Sequence, residues 1–117
     1  MSRRRHKYNA RKVERDGHTF DSGAEARRYN ELRLLEQAGQ IEGLQVHPVY
    51  EIIPRLRDPW TGKTLRAIKY EADFAYCEDG RAIVEDVKGV QTRVFGIKWR
   101  LFLLRYSEIE LRIIKAG

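Results

Sequence analysis

The chain has 117 residues, 42% apolar and 34% charged, with a formal charge of +6. That length allows one modest core but not two, and the composition suits a globular protein without deciding between enzyme and binding module. No apolar stretch approaches the ~20 residues of a bilayer span, and MSRRRHKYNARK lacks the apolar segment of a signal peptide, so a cytoplasmic protein with no membrane partner is expected. Cys77 stands alone, which excludes an internal disulfide, and His6, His18 and His47 are too scattered for a Cys/His zinc cluster.

The positive charge points to a polyanionic partner, and it is unevenly placed. Residues 1–21 hold seven Lys/Arg against three Asp/Glu, whereas residues 22–117 hold sixteen against fourteen. Within this basic arm, Arg3, Arg4, Arg5, Lys7, Arg11 and Lys12 can lie along phosphates, each contact releasing counterions; the bland alternative is a solvated tail.

In chain order, Asp16-Gly17 between Lys12-Val13-Glu14 and His18-Thr19-Phe20 predicts a small hairpin. Ser22 then caps a helix of about sixteen residues ending near Gly39, with Tyr29, Leu32 and Leu35 as its inward stripe and Arg27, Arg28, Glu31 and Arg33 outside it. One turn back along that stripe lies Glu25. Val46 to Ile53 predicts a strand, followed by a turn through Asp58 to Gly62. From Leu65 to Tyr76 the residues alternate as one strand, with Ile68, Tyr70, Phe74 and Tyr76 on one face and Lys69, Glu71 and Asp73 on the other. Asp79-Gly80 marks a tight turn into a strand from Ala82 to Lys88. Thr92 caps a second helix from about Arg93 to Tyr106, and Glu110 to Ile114 closes the chain as a strand. The order is helix, three strands, helix, strand, an α/β domain without internal repeats.

A type I′ turn at Asp79-Gly80 pairs Glu78 with Arg81, sets Asp73 opposite Asp86 and sets Glu71 opposite Lys88. Opposed like charges lower sheet stability, and a divalent cation would compensate. Alternation puts Asp86 and Lys88 on one face and Glu85 on the other, which favours Asp86 as the ligand. Hard cations such as Mg²⁺ take oxygen ligands and leave positions open for phosphate, whereas zinc would want His or Cys, which are expected to be absent from this patch. Asp73 and Asp86 would hold the metal, Lys88 would orient water or neutralise developing charge, and Glu25 could reach the same metal or a second one.

These residues resemble the PD-(D/E)XK nucleases: Glu25 on the first helix, Asp73 in YEADF, and Asp86-Val87-Lys88 in IVEDVKG, with Ala72 where the pattern has proline. The resemblance implies a restriction-endonuclease-like αβββαβ core with a mixed central sheet flanked by helices. It further implies Glu25, Asp73, Asp86 and Lys88 as catalytic residues, and Mg²⁺, replaceable by Mn²⁺, held by Asp73, Asp86, Glu25 and Val87. Residues 22–117 would form the nuclease domain behind the 1–21 arm. Size, basic character and motif spacing are similar to archaeal-type Holliday-junction resolvases. The FDSxxEAxRY and VEDVKG-type segments resemble small phage-encoded nuclease-like proteins, for which the cytoplasm would be that of the host. The implied protein is a homodimeric endonuclease on branched or four-way-junction DNA that leaves 5′-phosphate ends.

Several residues carry a competing structural reading. Ser22 to Glu25 is a capping box, whose Glu would bond back to the cap amide. Glu71 can pair with Lys88 or Lys69. Gly62-Lys63-Thr64 lacks the glycine of a phosphate-binding loop at Arg57 and reads as a turn. The second helix has two apolar rows, Val94, Ile97, Leu101 and Leu104, and Phe95, Trp99, Phe102 and Tyr106, for core or dimer interface. Gln91, Arg93 and Lys98 can reach the substrate. The rival reading is an inactive nucleic-acid-binding module on a nuclease scaffold, and a second rival is a nuclease for nicked, single-stranded or duplex DNA.

Overall fold

The computed structural model describes residues 11–116, so Arg3, Arg4, Arg5 and Lys7 lie outside the described residues. Strands β1 (Val13–Arg15) and β2 (His18–Phe20) form an antiparallel hairpin. Asp16 and Gly17 take the left-handed conformation, at φ 50° and 80°, that a two-residue turn of this hand requires. Phe20 is fully buried against the rings of Tyr29 and Phe74, which ties the hairpin into the core. A ring of this size contributes about 1.5–3 kcal/mol on burial.

Helix α1 (Gly23–Gln37) starts where the Ser22 side chain accepts the Glu25 amide at 3.2 Å, a cap typically worth ~1 kcal/mol. Gly39, at φ 77°, lies just past its end and supplies the left-handed residue that commonly stops a helix. The buried face is Glu25, Ala26, Tyr29 and Leu32. Leu35, expected on that stripe, is 37% exposed. Arg28, expected outside, instead turns inward to a buried carboxylate described below.

The strand expected from Val46 to Ile53 is two strands, β3 (Glu42–Val46) and β4 (Val49–Ile53), broken at His47-Pro48. Then follow the short hairpin β5 (Leu56–Arg57) and β6 (Thr64–Leu65), then β7 (Ile68–Glu71) and β8 (Phe74–Glu78). The latter pair replaces the single strand expected over Leu65 to Tyr76. The two breaks face each other. β4 pairs with β7 and β3 with β8, both antiparallel, and between them His47 N donates to the Asp73 carbonyl (2.9 Å) and Ala72 N to the Pro48 carbonyl (3.0 Å). A two-stranded ribbon thus keeps its register through a kink.

The kink also corrects the expected facing. Tyr70 packs in one cluster with Val84, Phe95 and Phe102, whereas Phe74 and Tyr76 pack in another with Phe20, Tyr29 and Ile83; Ile68 is 43% exposed. Alternation persists only while a strand remains straight.

After the Asp79-Gly80 turn (φ 52° and 77°), β9 (Arg81–Lys88) runs back along β8, helix α2 (Arg93–Arg105) follows, and β10 (Glu110–Lys115) closes the chain. The central sheet has the order β10-β9-β8-β3, antiparallel except for the parallel β9–β10 pair. That parallel pair needs a crossover, and α2 provides it. Thr92 caps α2 by accepting the Phe95 amide at 3.1 Å. The protein is therefore a mixed α/β domain in which α1 and the β1–β2 hairpin pack on one face of a mixed sheet and α2 on the other. Among the described residues no helix is long and apolar enough to cross a membrane.

Candidate active site

Strand β9 is buried on both faces. Ile83, Val84, Glu85 and Asp86 are all buried. As alternation requires, Glu85 points toward α1 and Asp86 and Lys88 toward α2. Glu85, with no exposed surface, accepts Arg28 Nε at 2.8 Å and Arg28 Nη2 at 2.6 Å, and also the Tyr76 hydroxyl. These partners satisfy it as a structural ion pair. Asp86 accepts the Tyr70 hydroxyl on one oxygen, and Lys88 Nζ lies 3.3 Å from the other. The ammonium of Lys88 also sits 4.4 Å from the centroid of Phe95, which fixes its position from below.

Asp73 sits in the kink. Its amide donates to the Glu85 carbonyl at 3.0 Å, and its carboxylate accepts the Val87 amide at 2.6 Å. The β8–β9 ladder has the expected register but ends at Phe74 opposite Glu85. Asp73 thus meets β9 through its side chain rather than as Asp86's ladder partner. Glu71 is not opposite Lys88; it pairs with Val49 on the other side of the kink.

Across the ribbon His47 opposes Asp73, and from α1 Glu25 reaches the same spot. One ligand atom from each of Glu25, His47 and Asp73 lies within 4.8 Å of the others. His47 Nε2 lies 3.4 Å from Glu25 Oε1, so the Glu25 carboxylate faces the cluster while its amide serves the Ser22 cap. His47 holds φ 56°, a conformation uncommon for a side-chain-bearing residue and frequent at functional positions. The expectation that no histidine would stand near the acids is therefore corrected. The signal available for His47 was its place before Pro48, which cannot continue a central strand.

Burial, then the nearby charge of Glu25, pushes the Asp73 carboxyl up to about 8; the Val87 amide and Lys88 pull in the opposite direction. Burial likewise raises Glu25, partly offset by its contact with His47. Asp73 thus feels the charges on both faces of β9, linking the Glu25–His47 side to the Asp86–Lys88 side. A buried and a half-buried acid held this close favour a cation, and carboxylate oxygens with one imidazole suit a divalent ion such as Mn²⁺ or Mg²⁺.

Because the folded-state value for Asp73 lies above its ordinary 3.8, the native state keeps, from there up to about 8, a proton that the unfolded chain has already released. This group's stabilisation is complete below that window and is lost as pH rises through it. The Tm of metal-free protein should fall between roughly pH 5 and pH 8.5, and Asp73→Asn should flatten the profile. A flat or rising wild-type profile would contradict the placement of Asp73.

Beside Lys88 a groove of about 300 Å³ is lined by Lys69, Lys98, Tyr70, Thr92 and Phe95, among others. Lys98 therefore lies next to the site. Gln91 and Arg93 are exposed at the start of α2. Arg11 is exposed, and Lys12 is engaged by Asp21 at 3.2 Å.

A family model described as "Protein of unknown function (DUF1064)" matches residues 5–117. No curated protein and no solved structure matches the chain.

Proposed function

This chain belongs to the DUF1064 family, and we propose that it is a divalent-metal-dependent endonuclease that hydrolyses phosphodiester bonds in DNA. The observation that carries this reading is the position of Asp73, half-buried between Glu25 and His47 on one side and Asp86 and Lys88 on the other. A purely structural cluster has little reason to set two further acids, Glu25 and Asp86, beside the half-buried Asp73 with only His47 and Lys88 to offset the three. Glu85, next to Asp86 on β9, has its arginine. The order of helix, three antiparallel strands, helix and parallel strand supports a restriction-endonuclease-like core.

Glu25, Asp73 and His47 would hold the metal, with Asp86 and Val87 on the adjoining strand. Bound there, a divalent cation supplies charge stabilisation at phosphate and a more acidic water. The chain's own groups do the rest. Val87 fixes Asp73 through its amide, Tyr70 fixes Asp86, and Lys88, propped on Phe95, presents a cation toward the groove in which phosphate would lie. Including His47 favours Mn²⁺ alongside Mg²⁺, because imidazole is a poorer ligand for the harder ion.

For substrate we favour four-way-junction DNA cut by a homodimer, since a two-fold junction calls for two sites related by a dyad. On α2 the row of Phe95 and Phe102 is buried, which leaves Val94, Ile97 and Leu104 exposed at 61%, 51% and 82%, an apolar face suited to self-association. The rival, an inactive binding module, draws on one observation: both Asp86 oxygens already have partners. Incubation of the protein with Mg²⁺ or Mn²⁺ and four-way, nicked, single-stranded and linear DNA separates these readings. Junction cleavage is expected, with Lys88→Ala slower by at least about a hundredfold. No cleavage of any substrate would leave the binding module, and normal rates for Lys88→Ala would remove its role.

A further inference from the structure

The hairpin β5–β6 lies outside the catalytic cluster and bears a feature the hydrolytic reading does not use. At its tip Trp60 is 92% exposed. The turn beneath it is ordered: Asp58 accepts the Trp60 amide on its side chain at 2.9 Å and the Gly62 amide on its carbonyl at 2.8 Å, and Gly62 takes φ 74°. A rigid turn that holds the largest side chain in water gains nothing for folding, since an indole stabilises only when it is buried.

The surroundings identify the partner. Arg55, Arg57, Lys63 and Arg66 flank the tip against the single acid Asp58, and all four are exposed. None of the four forms an ion pair with a described residue. Leu56 and Leu65, opposed across the two strands and 49% and 45% exposed, extend the apolar edge below the indole. An aromatic platform between solvated cations is complementary to unpaired bases on a phosphate backbone, where base stacking and phosphate contact act together. A second copy of the hairpin fits poorly, because four cations would meet four.

We infer that this hairpin is a nucleic-acid finger: Trp60 stacks on an unpaired base while the flanking cations hold the neighbouring phosphates. The inference rests on the proposed nucleic-acid partner but not on hydrolysis, and a finger of this kind would let the protein engage the open centre of a branched substrate.

The test uses the full chain in EDTA, with end-labelled oligothymidylate and a blunt duplex of equal length as probes, read by fluorescence anisotropy. Trp60→Ala should weaken oligothymidylate binding roughly tenfold or more, Trp60→Phe should retain most of it, and duplex binding should hardly change. Thermal melts of the three proteins should coincide. Unchanged oligothymidylate binding by Trp60→Ala, or equal loss on both probes, overturns the finger. So does conversion of a dimer to a monomer by that substitution, which would assign the tip to self-association. A chain that binds through Trp60 but cuts nothing would refute the nuclease and leave the finger standing.

Discussion

Replacing Asp73 with Asn should reduce DNA cleavage to background, a loss on the order of a thousandfold or more, while DNA binding persists. The expected size follows from where the side chain sits. One carboxylate oxygen is committed to the Val87 amide at 2.6 Å, and the group lies within ligand distance of both Glu25 and His47. An amide retains shape and the hydrogen bond to Val87 but gives up the charge, so the variant should fold and should lose the cation that the chemistry needs. It should also lower the repulsion that Asp73 shares with Glu25, making the metal-free protein as stable as the wild type or more so. Reduced activity with increased stability is hard to obtain by merely damaging the fold. Wild-type cleavage by the variant would refute the site.

Arg28→Ala should have the largest effect on stability. Glu85 is entirely buried, and Arg28 provides both of its charge-assisted bonds from 57 positions away in sequence. Removing the arginine leaves a carboxylate in the core with only the Tyr76 hydroxyl as partner. An abandoned buried charge typically costs about 3–5 kcal/mol, a large share of the stability of a domain this size. The Tm should fall by roughly 10 °C or more. Adding Glu85→Gln should recover part of the loss, because a neutral amide is cheaper to bury than an unpaired carboxylate. A drop below about 1 kcal/mol in Arg28→Ala, by chemical denaturation, would mean that solvent or another group compensates Glu85.

What the sequence made legible was local. Asp16-Gly17 and Asp79-Gly80 mark their hairpins because the two-residue turn demands left-handed residues, and both pairs adopt them. Ser22 and Thr92 cap their helices through side-chain oxygens. The alternation that separates Asp86 from Glu85 holds because β9 is straight. The kinks escaped because the apolar pattern continues across them. Tyr70, Phe74 and Tyr76 look like one face, and only pairing of two distant segments bends the ribbon at His47-Pro48 and Ala72-Asp73. His47 therefore joined the acids through a register that is invisible locally, and Arg28 could not be told from its exposed neighbours because its partner lies on another element. Of the phosphate-binding candidates, Lys98 does line the groove beside Lys88, while Arg3, Arg4, Arg5 and Lys7 are outside the described residues.

The cation site proposed at Glu25, His47 and Asp73 can be probed by titration calorimetry of the metal-free protein with Mn²⁺ near pH 8, without DNA. Saturable binding is expected in the wild type, weakened in His47→Ala and lost in Asp73→Asn. Absence of binding to the wild type, or equal binding by Asp73→Asn, would contradict it.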